Sequence, residues 1–134
     1  MNSLTPSPFA YLILRVVPNV ERGERINVGV ILFCRQLGFL GARVALDHAR
    51  LMALAPELPV PELADHLDAL QRIVDGAPGA GPIAELPASE RFGWLAAPAS
   101  TIVQASPVHT GLCHDPAATL SALHARLVEA PGID

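Results

Sequence analysis

Apolar residues recur at every second position in the first third of this chain and at every third or fourth position later on. This change of period separates a strand-forming half from a helix-forming half. In Phe9–Val17, Phe9, Tyr11 and Ile13 alternate against Ala10, Leu12 and Leu14, which predicts a first strand stopped by Pro18-Asn19. A charged turn, Glu21-Arg22-Gly23-Glu24-Arg25, then runs into the longest β-branched apolar segment, Ile26–Cys34. Strict alternation places Ile26, Val28, Val30 and Leu32 on one face, with Asn27 and Gly29 together on the other. Both faces are apolar from Val30 to Phe33, as expected of a central strand covered above and below. Gly29 marks a bulge or a close backbone approach, and Asn27 needs a hydrogen-bond partner if it is buried. The turn Gln36-Leu37-Gly38 leads to a third strand, Phe39–Leu46, weakened in its middle by Gly41. Three strands joined in this way form an antiparallel meander.

From Asp47 onward the spacing is helical. Asp47 is placed to cap a short helix, His48–Ala55, ended by Pro56 and Pro59. Pro61 opens a second helix that runs to Asp75 and stops at Gly76, with Leu63, Leu67, Leu70 and Val74 as its apolar stripe. Residues 77–87 are rich in Gly, Pro and Ala and read as a surface loop. Ser89–Leu95 reads as one helical turn or a packed corner, Thr101–Gln104 as a fourth strand, and Ser106–His114 as a loop. Asp115-Pro116 starts a last helix reaching about Glu129, with Leu120, Leu123, Leu127 and Val128 as its stripe and Pro131-Gly132 as its stop. The expected fold is α+β: a small antiparallel sheet, a three-strand meander plus a fourth strand, with helices packed on it. Residues 1–8 form a polar leader, 9–130 a single globular domain and 131–134 a tail.

Half of the residues are hydrophobic and 16% are charged, which excludes a disordered chain. The net charge of −4 gives no general attraction to nucleic acid. The basic residues are all Arg, suited to planar anion contacts, although a GC-rich genome gives the same bias. Phe9–Leu14 is too short, and too lacking in a basic leader, for a signal peptide. No stretch approaches a membrane span, so a cytoplasmic location is expected. Cys34 and Cys113 make no disulfide framework, and Cys34 in a central strand acts as a small hydrophobe.

Two polar clusters are the candidates for chemistry. One is Arg22-Gly23-Glu24-Arg25. The other, between Arg91 and Asp115, holds Ser100, Gln104, Ser106, His109, Thr110, Cys113 and His114. The anion-binding reading draws on Arg22, Glu24, Arg91, Gln104, Ser106, His109 and Thr110, with Arg25 and the helix start at Asp115 completing the site. In the catalytic reading His109 serves as base for Ser106 or Cys113. No G-x-S-x-G elbow or other family signature supports that pairing. The plainer reading is a polar loop that caps its own backbone. Arg22 and Glu24 are expected to clamp the loop 106–114 through charge-assisted hydrogen bonds. Metal ligands at useful spacing and cofactor motifs are missing from the sequence, so no metal and no cofactor is expected. His48, His66 and His124 read as solvent-facing or helix-edge residues. Phe92 and Trp94 read as core or interface anchors.

Four segments in order carry a resemblance: Tyr11-Leu-Ile-Leu-Arg15-Val-Val-Pro18, Arg22-Gly-Glu-Arg-Ile-Asn27-Val-Gly29-Val-Ile-Leu-Phe33, Arg91-Phe-Gly-Trp94-Leu95 and Gln104-Ala-Ser106-Pro-Val-His109-Thr-Gly-Leu112. Together they resemble the bacterial family labelled domain of unknown function 3037, over nearly the whole chain from Phe9 to about Val128. The resemblance brings no activity with it, and implies an accessory role beside a kinase-like protein of the HipA type. The chain departs from the family at Ala97-Pro98-Ala99-Ser100, where such sequences commonly have Ala-Pro-Arg-Ser. An anion site that leans on that Arg is therefore not expected here. An accessory or protein-interaction module is the leading expectation, supported if Phe92 and Trp94 form an exposed patch. A domain for a small anionic ligand is the alternative, and a hydrolase or transferase using His109 comes third.

Overall fold

The computed structural model describes residues 5–98 and 101–129; the Ala99-Ser100 departure and the Pro131-Gly132 stop lie outside the described residues. Strands β1 (Ser7–Val16), β2 (Ile26–Cys34) and β3 (Phe39–Val44) form the expected meander. Helices α1 (His48–Leu54) and α2 (Val60–Val74), a 3₁₀ turn at Ile83–Glu85 and helix α3 (Ala88–Ala96) follow. Strands β4 (Val103–Ala105) and β5 (His109–Cys113) and helix α4 (Pro116–Leu127) complete the order. The sheet is open and antiparallel, ordered β3-β2-β1, with β4 and β5 sharing the far side of β1. β4 pairs with Leu14–Val16 and β5 with Ser7–Tyr11.

Helices cover both faces. Leu12, Leu14, Val16, Ile26, Val28 and Ile31 pack with Leu51, Leu63, Leu67, Val74, Phe92 and Leu95 from α1–α3. Phe9, Val30, Leu32 and Cys34 pack with Leu120 and Leu123 of α4. Ile26 and Val28 therefore lie on the opposite face from Val30 and Leu32, contrary to simple alternation. The register explains it: Leu14 pairs with Gly29 but Arg15 with Asn27, so Val28 is one residue extra. That bulge inverts the side-chain parity of β2. Gly29 is required at the bulge because a Cβ there would lie 2.9 Å from the Arg43 carbonyl oxygen. Asn27, expected beside Gly29, instead turns toward α4 and donates from Nδ2 to the Leu127 carbonyl at 3.0 Å, holding the end of that helix.

Other expectations are corrected in detail. The 106–114 loop contains β5, a strand with weak intrinsic propensity that forms because β1 offers it a free edge. Gly111 admits the Phe9 ring, which would come within 2.7 Å of a Cβ there. The Ser89–Leu95 corner is a regular helix whose Phe92 is buried and stacks on Phe33 at 5.6 Å. His124 is not at a helix edge but 4% exposed within α4. The caps at Asp47 and Asp115 form as read, accepting from the N–H groups of Arg50 and Ala118. Among the described residues no helix is long and apolar enough to cross a membrane.

Candidate functional site

The polar residues between 104 and 115 are largely consumed by backbone accounting. Between β4 and β5 the chain bulges at Ser106-Pro107-Val108 opposite Leu12 and Ile13. At this bulge the Ser106 residue satisfies both backbone groups of Ile13, its side chain supplying the acceptor for the Ile13 N–H. Its backbone N–H donates to the Ile13 carbonyl at 2.8 Å, and its hydroxyl accepts from the Ile13 N–H at 2.8 Å. The same hydroxyl donates to the Pro107 carbonyl at 2.8 Å, and the residue is 3% exposed. Gln104 donates from Nε2 to the Thr101 carbonyl, and the Thr101 hydroxyl donates to Val103.

His109 is exposed, and its ring lies against Tyr11 at 5.2 Å. It shares no hydrogen bond with Ser106, whose donor and acceptor are both committed. Thr110, next along β5, alternates to the opposite face and is also exposed. Cys113 is buried beside Cys34, and burial first, then the Cys34 thiol, push its pKa up. Such a thiol is held neutral and away from the reactive thiolate. Its pKa environment therefore runs against the role of nucleophile. Among the described residues no cluster of three or more His, Cys, Asp or Glu is arranged to hold a metal.

The arginines proposed for an anion site are dispersed. Arg22 pairs bidentately with Glu24, Nε to Oε1 at 2.7 Å and a terminal nitrogen to Oε2 at 3.1 Å. That turn follows the C-terminal end of β1, whereas β5 runs along its N-terminal part. The expected clamp between Arg22, Glu24 and the 106–114 segment is therefore absent: the two lie toward opposite ends of β1. Arg91 is a structural pin. Its guanidinium donates to the Leu86 carbonyl at 2.6 Å and the Val74 carbonyl at 3.4 Å, closing the end of α2 against the 3₁₀ turn.

The structure does build a concave site that no sequence motif marked. A groove of about 310 Å³ opens between α2, α3 and β4, walled by Leu14, Leu70, Leu95, Val103 and Ala105. Trp94 lines it and is 46% exposed, so of the expected aromatic pair only this member reaches solvent. A second lobe of about 290 Å³ shares His66, Thr101 and Val103 with the first and continues past Glu62 and Pro59. The groove lies where α2 and α3 face the three-residue strand β4. Its walls come from four distant segments, so periodicity in any one of them could not reveal it. Trp94, apolar but off the buried Phe92–Leu95 stripe of α3, was the available signal.

These features define an open-sheet α+β domain with helices on both faces and an apolar groove at the sheet edge. The chain belongs to the family described as protein of unknown function DUF3037, whose sequence pattern matches residues 11–128. No curated protein and no solved structure gives a significant match.

Proposed function

We propose that this domain is a protein-interaction module, an accessory subunit that holds an apolar, basic-flanked segment of a partner in the α2–α3–β4 groove. The observation that carries the reading is Trp94, a large aromatic side chain left nearly half exposed on a mostly apolar wall that also holds His66, Thr101 and Gln104. Exposed aromatics at the rim of a pocket are the residues interfaces use as anchors. Charge supplies the flanks of the partner segment. Glu62 lines the second lobe, favouring a Lys or Arg beside the apolar stretch. The family resemblance supports a kinase-like protein of the HipA type as the partner to test, in a bacterial cytoplasm.

The chain has a single Trp, so its fluorescence reports occupancy directly. The test titrates the purified full chain with a kinase-like protein of the HipA type from the same organism and follows Trp94 emission. Saturable binding with a blue shift is expected, together with loss of binding in Ala97→Arg, which extends a long side chain from the exposed groove rim. Binding that leaves the emission unmoved and survives Ala97→Arg would show the partner sits elsewhere. Lack of any binding would remove the accessory reading.

A further inference from the structure

On one side the sheet ends in strands whose outward backbone groups have no partner. β4 and β5 pair only with β1, so each keeps one open edge. The Ser106 N–H donates to the Ile13 carbonyl and the Val17 N–H to the Ile102 carbonyl, which fixes the groups that turn inward. Hydrogen-bonded pairs alternate along an antiparallel ladder, so Gln104 bonds toward β1 and Ala105 faces out. The same alternation along β1 turns His109, Gly111 and Cys113 inward and leaves Thr110 and Leu112 facing out. Among the described residues, no bond from a turn, loop or cap meets the N–H or C=O of Ala105, Thr110 or Leu112. Natural edge strands are commonly guarded by charge. From Ile102 to Cys113 there is no Asp, Glu, Lys or Arg, and Pro107 guards only the bulge between the two strands. Leu112 is 67% exposed and Val108 44%, and Trp94 stands across the groove from β4. The other edge strand, β3, carries Arg43 and no exposed large apolar side chain.

We infer that the β4–β5 edge takes an extended segment of a partner protein as an added strand, whose inward side chains fill the groove. The inference rests on the groove being an interaction site, and it adds the conformation and sequence pattern of what is bound. An extended chain is the ligand that presents N–H and C=O groups at the spacing of a sheet edge. Val103 pairs with Val16 and Ala105 with Leu14, so their side chains lie on the α1–α3 face, where they line the groove. A strand laid beside them points every second side chain to that same face, between β4 and Trp94. The segment is therefore apolar at alternate positions and basic where it reaches Glu62 in the second lobe. The Thr101 hydroxyl already donates to the Val103 carbonyl, which ends the open edge at that residue. A second copy of this chain is the less suited occupant, because two chains of charge −4 repel.

The test adds to the full chain an end-blocked peptide of about ten residues, enough to run along both strands at about 3.4 Å per residue. Valine and threonine alternate along it, with an arginine at each end. Amide hydrogen exchange, read residue by residue by NMR, is expected to slow at Ala105, Thr110 and Leu112. Gln104 and Gly111, bonded to β1, are slow already in the chain alone. Two N-methylated peptides test the ladder on the unaltered protein. Methylating one alternate set of amides should abolish binding, and methylating the other should leave it within about twofold, because a strand directs every second N–H to its neighbour. Thr110→Pro removes an outward donor where an edge strand tolerates proline, and should weaken the peptide about tenfold with the unfolding midpoint kept. Exchange at the three amides that the peptide does not slow, or equal loss from both methylated sets, would overturn the inference. If the peptide moves Trp94 emission without slowing those amides, the groove remains an interaction site and the added strand is lost. If the peptide slows them but the kinase-like protein does not bind, the added strand stands and the accessory reading falls. Slowing that grows with protein concentration alone would make the edge a contact between copies and overturn the foreign partner.

Discussion

The segments 15–27 and 104–115 are both polar interruptions among apolar strands, and they resolve in opposite ways. In the second, the Ser106 hydroxyl supplies the acceptor for the Ile13 N–H at the bulge, Asp115 caps α4, and Gln104 and Thr101 bond to nearby carbonyls. Its hydroxyls and caps are spent on the fold. In the first, Asn27 is likewise spent on the end of α4, but the Arg15 Nε is buried with its donor unmet. Density of polar side chains was therefore a poor guide to function. An unmet donor does not mark a site either, since the Arg91 Nε is also buried without a partner while the rest of its guanidinium pins α2 to the 3₁₀ turn.

The sharpest way to break this contrast is Ser106→Ala. If the hydroxyl is structural, the variant strands the Ile13 N–H inside the sheet and costs about 1–3 kcal/mol. The shift in denaturant midpoint reads that loss directly, and an unchanged midpoint would return Ser106 to the catalytic candidates. Asp115→Ala is next, expected to cost about 1 kcal/mol through the lost N-cap of α4. Cys113 gives a smaller effect that depends on pH. Its thiol pKa is raised above the ordinary 9.0, so the fold favours the neutral form. The contribution is full below that value. As pH climbs beyond about 9, the unfolded chain releases its proton first and stability falls. Cys113→Ala should flatten that alkaline loss, and the native thiol should alkylate slowly at neutral pH compared with the unfolded chain.

Much of the fold could be read from residue order. The alternation of β1, the apolar run of β2 and the caps at Asp47 and Asp115 each depend on neighbours within a few positions, and each formed where expected. The errors came from interactions between distant segments. Gly29 signalled a bulge, but its consequence, the exchange of faces between Val28 and Val30, follows only from pairing with Leu14 and Arg15. The strand His109–Cys113 contains Gly, His and Thr and gains its conformation from the edge of β1. Phe92 and Trp94 sit two residues apart, and only the approach of Phe33 decides which is core. The site was harder still. The groove draws its walls from β1, α2, α3 and β4, and no single segment carries its pattern.

The smallest predicted effect concerns the ion pair in the turn between β1 and β2. Arg22 and Glu24 make a well-formed bidentate contact, but both are exposed on a turn, where solvent and salt cancel most of the attraction. The Glu24 pKa is lowered by its bond to Arg22 and the Arg22 pKa raised by Glu24, so each holds the other's charge. Arg22→Ala should leave the unfolding midpoint unchanged within error. The turn has a second support, the Asn19 side chain, which accepts from the N–H groups of Glu21 and Arg22 and does not depend on the ion pair. A measurable drop in the midpoint of Arg22→Ala would show that the pair, rather than Asn19, holds the turn.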